Sequence, residues 1–123
     1  MKQQILSVED LEVYQRLFEL AIEVHHLSLT YPKFELYELG SQVRRSSNSA
    51  PANLAEGWGN RHIKMYLEGV TRALSEVRET RHHLKIAHRK GYFEDQILQT
   101  FLARYEECKL MLVGLETSLI RRL

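Results

Sequence analysis

The residues best suited to chemistry are cations. Arg44 and Arg45 stand side by side, and Arg78, Arg81, Lys85, Arg89 and Lys90 load the end of one helical stretch beside His82, His83 and His88. A guanidinium offers phosphate a planar fork of donors, and an ammonium offers a compact charge. Such contacts give affinity without reading bases, so these seven cations are the candidate nucleic-acid contacts. The competing reading is a solvated helix face with Glu79 among the cations. A second polar set, Arg45, Ser49, Asn53 and Glu56, falls on one side of a helix at steps of four, four and three. It reads either as a site for a ligand or RNA phosphate, or as an Arg45–Glu56 and Asn53 network that braces the helix.

Other chemistries meet the sequence less well. Two Glu-x-x-His pairs, Glu23/His26 and Glu79/His82, invite comparison with the di-iron sites of helical bundles, but both fall away from the apolar stripes of their helices. His82, His83 and His88 are not four apart, which makes a poor zinc pair and points to solvated imidazoles. Gly57-Trp58-Gly59 lacks the lysine and preceding strand of a phosphate loop. Cys108 lies on an apolar stripe, where a thiol is inert, and nothing beyond residue types supports a Ser-His-Asp arrangement. The expectation is a non-catalytic protein with no metal, no cofactor and no small-molecule substrate identified.

The elements that must carry these residues are helices. Residues 1–123 read as a single all-α domain, an up-down-up-down four-helix bundle, with helices over about Val8–Leu29, Glu35–Gly57, Arg61–Lys90 and Glu94 to the end. Ser7 and Asp10 resemble a capping box, Tyr31-Pro32 ends the first helix, Asn60 suits the N-cap of the third, and Gly91 stops that helix. The second helix contains Pro51, which removes a backbone donor and crowds the carbonyl of Ser47. Apolar spacing runs through it, so a kink is expected; the alternative is an end near Asn48 and a restart with Pro51 in a first turn. Ser46, Ser47, Ser49 and Ala50 let a neighbouring helix approach closely.

The first helix carries two apolar stripes. Leu11, Tyr14, Phe18, Ala21, Ile22 and His25 form one; Val13, Leu17, Leu20, Val24 and Leu27 form the other. Together they cover roughly 220°, where a stripe just over 100° wide is usual. One can face the core. The aliphatic second needs another partner, since leaving such side chains in water forgoes about 1.5–3 kcal/mol each. Self-association is therefore expected, unless the Tyr31–Tyr37 connection covers that stripe.

Composition sets the outer bounds. Net charge is +1, yet Met1–Asn60 holds five Lys/Arg against eight Asp/Glu, while Arg61–Leu123 holds twelve against eight. That asymmetry favours an anionic partner for the second half, although cations also collect at helix C-termini for their dipole. The lone Cys108 excludes an internal disulfide and fits a reducing cytoplasm. Met1-Lys2-Gln3-Gln4-Ile5 opens no signal-peptide apolar region, and the apolar run around Leu110–Val113 is too short to span a bilayer.

Gln42-Val43-Arg44-Arg45, followed by Pro51-Ala52-Asn53-Leu54-Ala55-Glu56-Gly57, resembles the signature of the small bacterial four-helix-bundle proteins called 23S rRNA intervening-sequence proteins (S23-type). Asp10-Leu11-Glu12-Val13-Tyr14 and Tyr31-Pro32-Lys33 extend the likeness over nearly the whole chain. It is strongest from Gln42 to Gly57. Trp58 departs from it, where a small polar residue is commoner, and so does the His- and Arg-rich third helix. The resemblance implies a homo-oligomeric ring of bundles, commonly a pentamer, with Pro51, Asn53, Glu56 and Gly57 as structural signature. The family name reflects genes that sit inside ribosomal RNA insertions. A related group, the accessory proteins of diversity-generating retroelements, binds nucleic acid and a reverse transcriptase, so the resemblance implies RNA or DNA as a partner.

Overall fold

The computed structural model describes residues 4–123; Met1, Lys2 and Gln3, which open the stretch read for a signal peptide, lie outside them. Four helices follow in order: α1 (Glu12–Ser28), α2 (Leu39–Gly57), α3 (Ile63–Arg89) and α4 (Asp95–Arg121). No described residue is in a strand. Each helix packs on the next, and α1 packs on α4 to close a four-helix bundle. Ion pairs tie α1 to α4 through Arg16–Glu107 and Arg104–Glu23. The core lies along the axis, where Leu17, Val43, Leu54, Val70, Leu84 and Leu112 are fully enclosed.

The helix starts differ from those expected, each for a local reason. Val8–Asp10 is a separate 3-10 turn. The Asp10 carboxylate accepts from the N–H groups of Leu6 and Ser7 at 3.0 and 3.2 Å, so the capping box closes on that turn. Leu11 is then extended and α1 begins at Glu12. Lys33–Glu35 forms another 3-10 turn, and α2 begins four residues after Glu35. Asn60 does not cap α3 directly. Its Oδ1 accepts from the N–H of His62 at 2.9 Å, and His62 takes the N-cap position.

Helix continuity and burial bear on two alternatives that the sequence left open. α2 runs without interruption through Pro51, so the helix does not end at Asn48 and restart. Buried Ser46, Ser47 and Ala50 face neighbouring helices as their size suggests, and the Thr80 hydroxyl donates to Ser46 Oγ at 2.8 Å. On α1 the roles of the two stripes are reversed. Val13, Leu17, Leu20 and Val24 are the buried ones. Phe18 and Ile22, from the other stripe, remain 46% exposed. The Tyr31–Tyr37 connection does not cover them. Tyr31 turns inward onto Tyr92 and Phe93, and Phe34 and Tyr37 are exposed.

Candidate nucleic-acid interface

Helix pitch sorts the seven candidate cations into free and engaged groups. At 3.6 residues per turn, Arg78, Lys85 and Arg89 share the solvent face of α3, all exposed, with His82 between them. None has a carboxylate partner among the described residues. The rise of 1.5 Å per residue places Lys85 about 10 Å from Arg78 along the axis, and Arg89 about 6 Å further. Arg81 stands one step round the helix and donates to Glu106 of α4 at 2.9 Å. Beside it, a groove of about 340 Å³ between α3 and α4 is lined by Arg78, Arg81, Lys109, Val113 and Glu116, and Lys109 lies 3.7 Å from Glu106. Lys109 was not among the sequence candidates. It is contributed by a different helix, and only the packing of α4 on α3 brings it alongside.

The remaining cations are occupied. Lys90 donates to Glu35 at 2.9 Å, and the Tyr92 hydroxyl donates to the same carboxylate at 2.6 Å. Glu35 is 3% exposed and also accepts from the Leu39 N–H. Those bonds, Tyr92 first and Lys90 second, hold its carboxyl below the usual range. The carboxylate in turn raises the Tyr92 phenol to about 12. This knot joins the α1–α2 connection to the α3–α4 connection, and sequence reading missed it because its partners are 55 and 57 residues apart. Arg44 is likewise built in, donating to Ser28 Oγ at 3.0 Å and to the Leu36 carbonyl.

Arg45 is largely exposed and lies 3.6 Å from Glu79. Glu79 also reaches His83 at 3.4 Å. His83 is therefore a half-satisfied core histidine, 9% exposed, and not the solvated imidazole expected. Burial, and then the neighbouring Glu79, pushes the Glu76 carboxyl up. The proposed Arg45–Glu56 brace does not form, because eleven residues of helix separate the two by about 16 Å. Asn53 donates instead to the Ser49 carbonyl at 2.9 Å.

The signature residues Asn53, Glu56 and Gly57 line one shallow groove with Gly69 and Arg72. Its floor is a close helix crossing. A Cβ on Gly57 would stand 3.1 Å from the Met65 carbonyl, and one on Gly69 would stand 2.8 Å from the Asn53 carbonyl. Gly57 thus serves contact; Gly59, at φ 66°, is the left-handed residue beyond the helix end. Pro51 is buried on the adjoining face of α2.

Glu23, half of one Glu-x-x-His pair, is bonded to Arg104 at 2.8 Å. No group of three His, Cys, Asp or Glu side chains converges among the described residues. Cys108 is buried, and burial raises its thiol to about 11. No described helix is long and apolar enough to cross a membrane.

Residues 9–114 match the family model described as 23S rRNA-intervening sequence protein. The fold is similar to that in a 1.70 Å crystal structure from Bacteroides thetaiotaomicron VPI-5482, of a protein with unknown function from the S23 ribosomal protein family. The TM-score is 0.74 at 22% identity, covering 85% of this chain and 97% of that one. No curated protein matches the sequence.

Proposed function

The chain belongs to the 23S rRNA-intervening sequence protein family, and from that premise we propose that it is a non-catalytic, homo-oligomeric protein that binds RNA through phosphate contacts in the cytoplasm. The observation that carries this is the unpaired stripe of Arg78, Lys85 and Arg89 on the outer face of α3, beside the Arg81- and Lys109-lined groove. Arg44, Arg45, Arg81 and Lys90 contribute field more than contact, since each already faces an acceptor. One chain of net charge +1 offers few phosphate contacts. A ring, the pentamer that the resemblance implies, repeats the stripe around an axis and multiplies its effect.

The test is binding of a labelled structured RNA across a salt series, for the parent and for Arg78→Ala/Lys85→Ala/Arg89→Ala. Affinity of the parent falls steeply with salt, and the slope becomes shallower in the variant by about 0.7–0.9 for each phosphate that is no longer neutralised. An unchanged steep slope moves the site toward Arg44 and Arg45. No binding at low salt overturns the nucleic-acid reading and leaves an oligomeric interaction scaffold, which the exposed Phe18 and Ile22 on α1 favour.

A further inference from the structure

Two outward helix faces are covered within the chain only at Leu11 and Glu106, and they match each other. On α1 and its flanks, Leu11, Gln15, Phe18, Ile22, His25 and Leu29 recur at steps of four, three, four, three and four. That is the seam spacing of one helix packing along another. On α4, Ala103, Glu106, Leu110, Val113, Thr117 and Ile120 recur at three, four, three, four and three, again on the side turned from the core. Phe18 and Ile22 are each 46% exposed, Leu29 52%, Leu110 61%, Val113 39% and Ile120 53%. These are large side chains to leave wet in two continuous lines.

We propose that the outer face of α1 docks antiparallel on the outer face of α4 of a second copy of this chain. Run in opposite directions, the two seams pair level by level. Leu11 meets Ile120, Gln15 meets Thr117, Phe18 meets Val113, Ile22 meets Leu110, His25 meets Glu106 and Leu29 meets Ala103. Apolar residues oppose apolar ones, an amide opposes a hydroxyl, and an imidazole opposes a carboxylate that already accepts from Arg81 of its own chain. Gln15 spends its Nε2 on the Glu9 carbonyl at 2.7 Å, which leaves its Oε1 to accept from a threonine. A parallel alignment also sets apolar on apolar and polar on polar, so the direction is decided by how the two bundles must point.

Orientation supports the same partner. Within one bundle α1 and α4 are antiparallel, because Arg16 pairs with Glu107 while Glu23, further along α1, pairs with Arg104, earlier on α4. An antiparallel α1–α4 contact between copies therefore leaves both bundles pointing the same way. The contact is head-to-tail, uses two different faces, and repeats by rotation into a ring. An α1–α1 contact would cover one seam and leave the other in water.

This inference rests on the homo-oligomer proposed above and names its interface. The test uses light scattering of the full chain, of Ile22→Asp, of Leu110→Asp, and of the two variants mixed, with circular dichroism to show that both surface variants fold. The parent scatters as an oligomer. Each variant alone is a monomer of 14.5 kDa, because each has one of its two faces disabled. The equimolar mixture forms a species of about twice that mass and nothing larger, since only one intact pair of faces remains. A Leu110→Asp chain that still assembles overturns the α4 face, and an Ile22→Asp chain that still assembles overturns the α1 face. Two monomeric variants whose mixture stays monomeric overturn the pairing itself. A monomeric parent overturns the homo-oligomer as well, independently of the faces.

Discussion

Glu35 is a buried carboxylate whose neighbours keep it charged. Tyr92 and Lys90 donate to one oxygen, and the Leu39 N–H approaches the other. A carboxyl held below its ordinary value of 4.5 adds stability that is complete above that value and is lost as pH falls through the lowered one. Glu35→Gln is therefore expected to lower Tm at pH 7. The gap to the parent narrows as both are melted at successively lower pH below 4.5, because the parent loses what the variant never had. A gap that stays constant down to pH 3 would show that the carboxylate charge contributes nothing. The alkaline side has its own limb: the Tyr92 phenol, raised to about 12, contributes below its ordinary value of 10.0 and loses that contribution as pH rises toward 12. Cys108 offers a simpler check. Its thiol is fully buried and raised to about 11, so at pH 7 it should resist a thiol reagent until denaturant is added, whereas immediate reaction in the folded state would contradict its burial. The sequence made Cys108 legible through its apolar stripe, but it hid Glu35, because a carboxylate in a connection shows no period that could reveal a partner two helices away.

At the scale of elements, the α2–α3 crossing sets the tightest constraint. Gly57 and Gly69 face each other where a Cβ on either would stand 3.2 Å from the Cα of the other. Gly69→Ala is expected to destabilise by about 1–3 kcal/mol, the usual cost of overpacking. Gly114→Ala is the control. Nothing stands within 4 Å of a Cβ there, and alanine in a helix interior gains about 0.5–1 kcal/mol over glycine. Urea titration of the two variants should give opposite signs, and equal signs would argue against the close crossing. The small residues of α2 made this approach partly readable, and the four-helix order followed from apolar period and short connections. What misled was α1. Its two stripes are both apolar, and burial went to the aliphatic one, whose β-branched and leucine side chains fill the axis, while the aromatic Phe18 stayed outside. Period shows that a helix has two faces; which of them turns inward depends on the shape of its neighbours.

For the whole molecule, the two proposals meet in one measurement. The cationic stripe lies on α3 and the paired seams on α1 and α4, and they adjoin at the α3–α4 groove, which both Arg78 and Val113 line. Ile22→Asp, on α1, leaves Arg78, Lys85 and Arg89 untouched while it removes assembly. If phosphate binding is multivalent, the monomer holds one stripe where the ring holds several, and linked sites can exceed single-site affinity by about 10²–10⁴. Ile22→Asp should then bind structured RNA at least about tenfold more weakly at moderate salt. Its log affinity against log salt should also flatten, because fewer counterions leave the RNA per binding event. Arg78→Ala/Lys85→Ala/Arg89→Ala should show the converse: the parent's oligomer in light scattering, without the RNA. An assembled variant that keeps RNA, or a monomer that binds as tightly and as steeply as the parent, would separate assembly from binding and show that the stripe does not act through repetition around a ring.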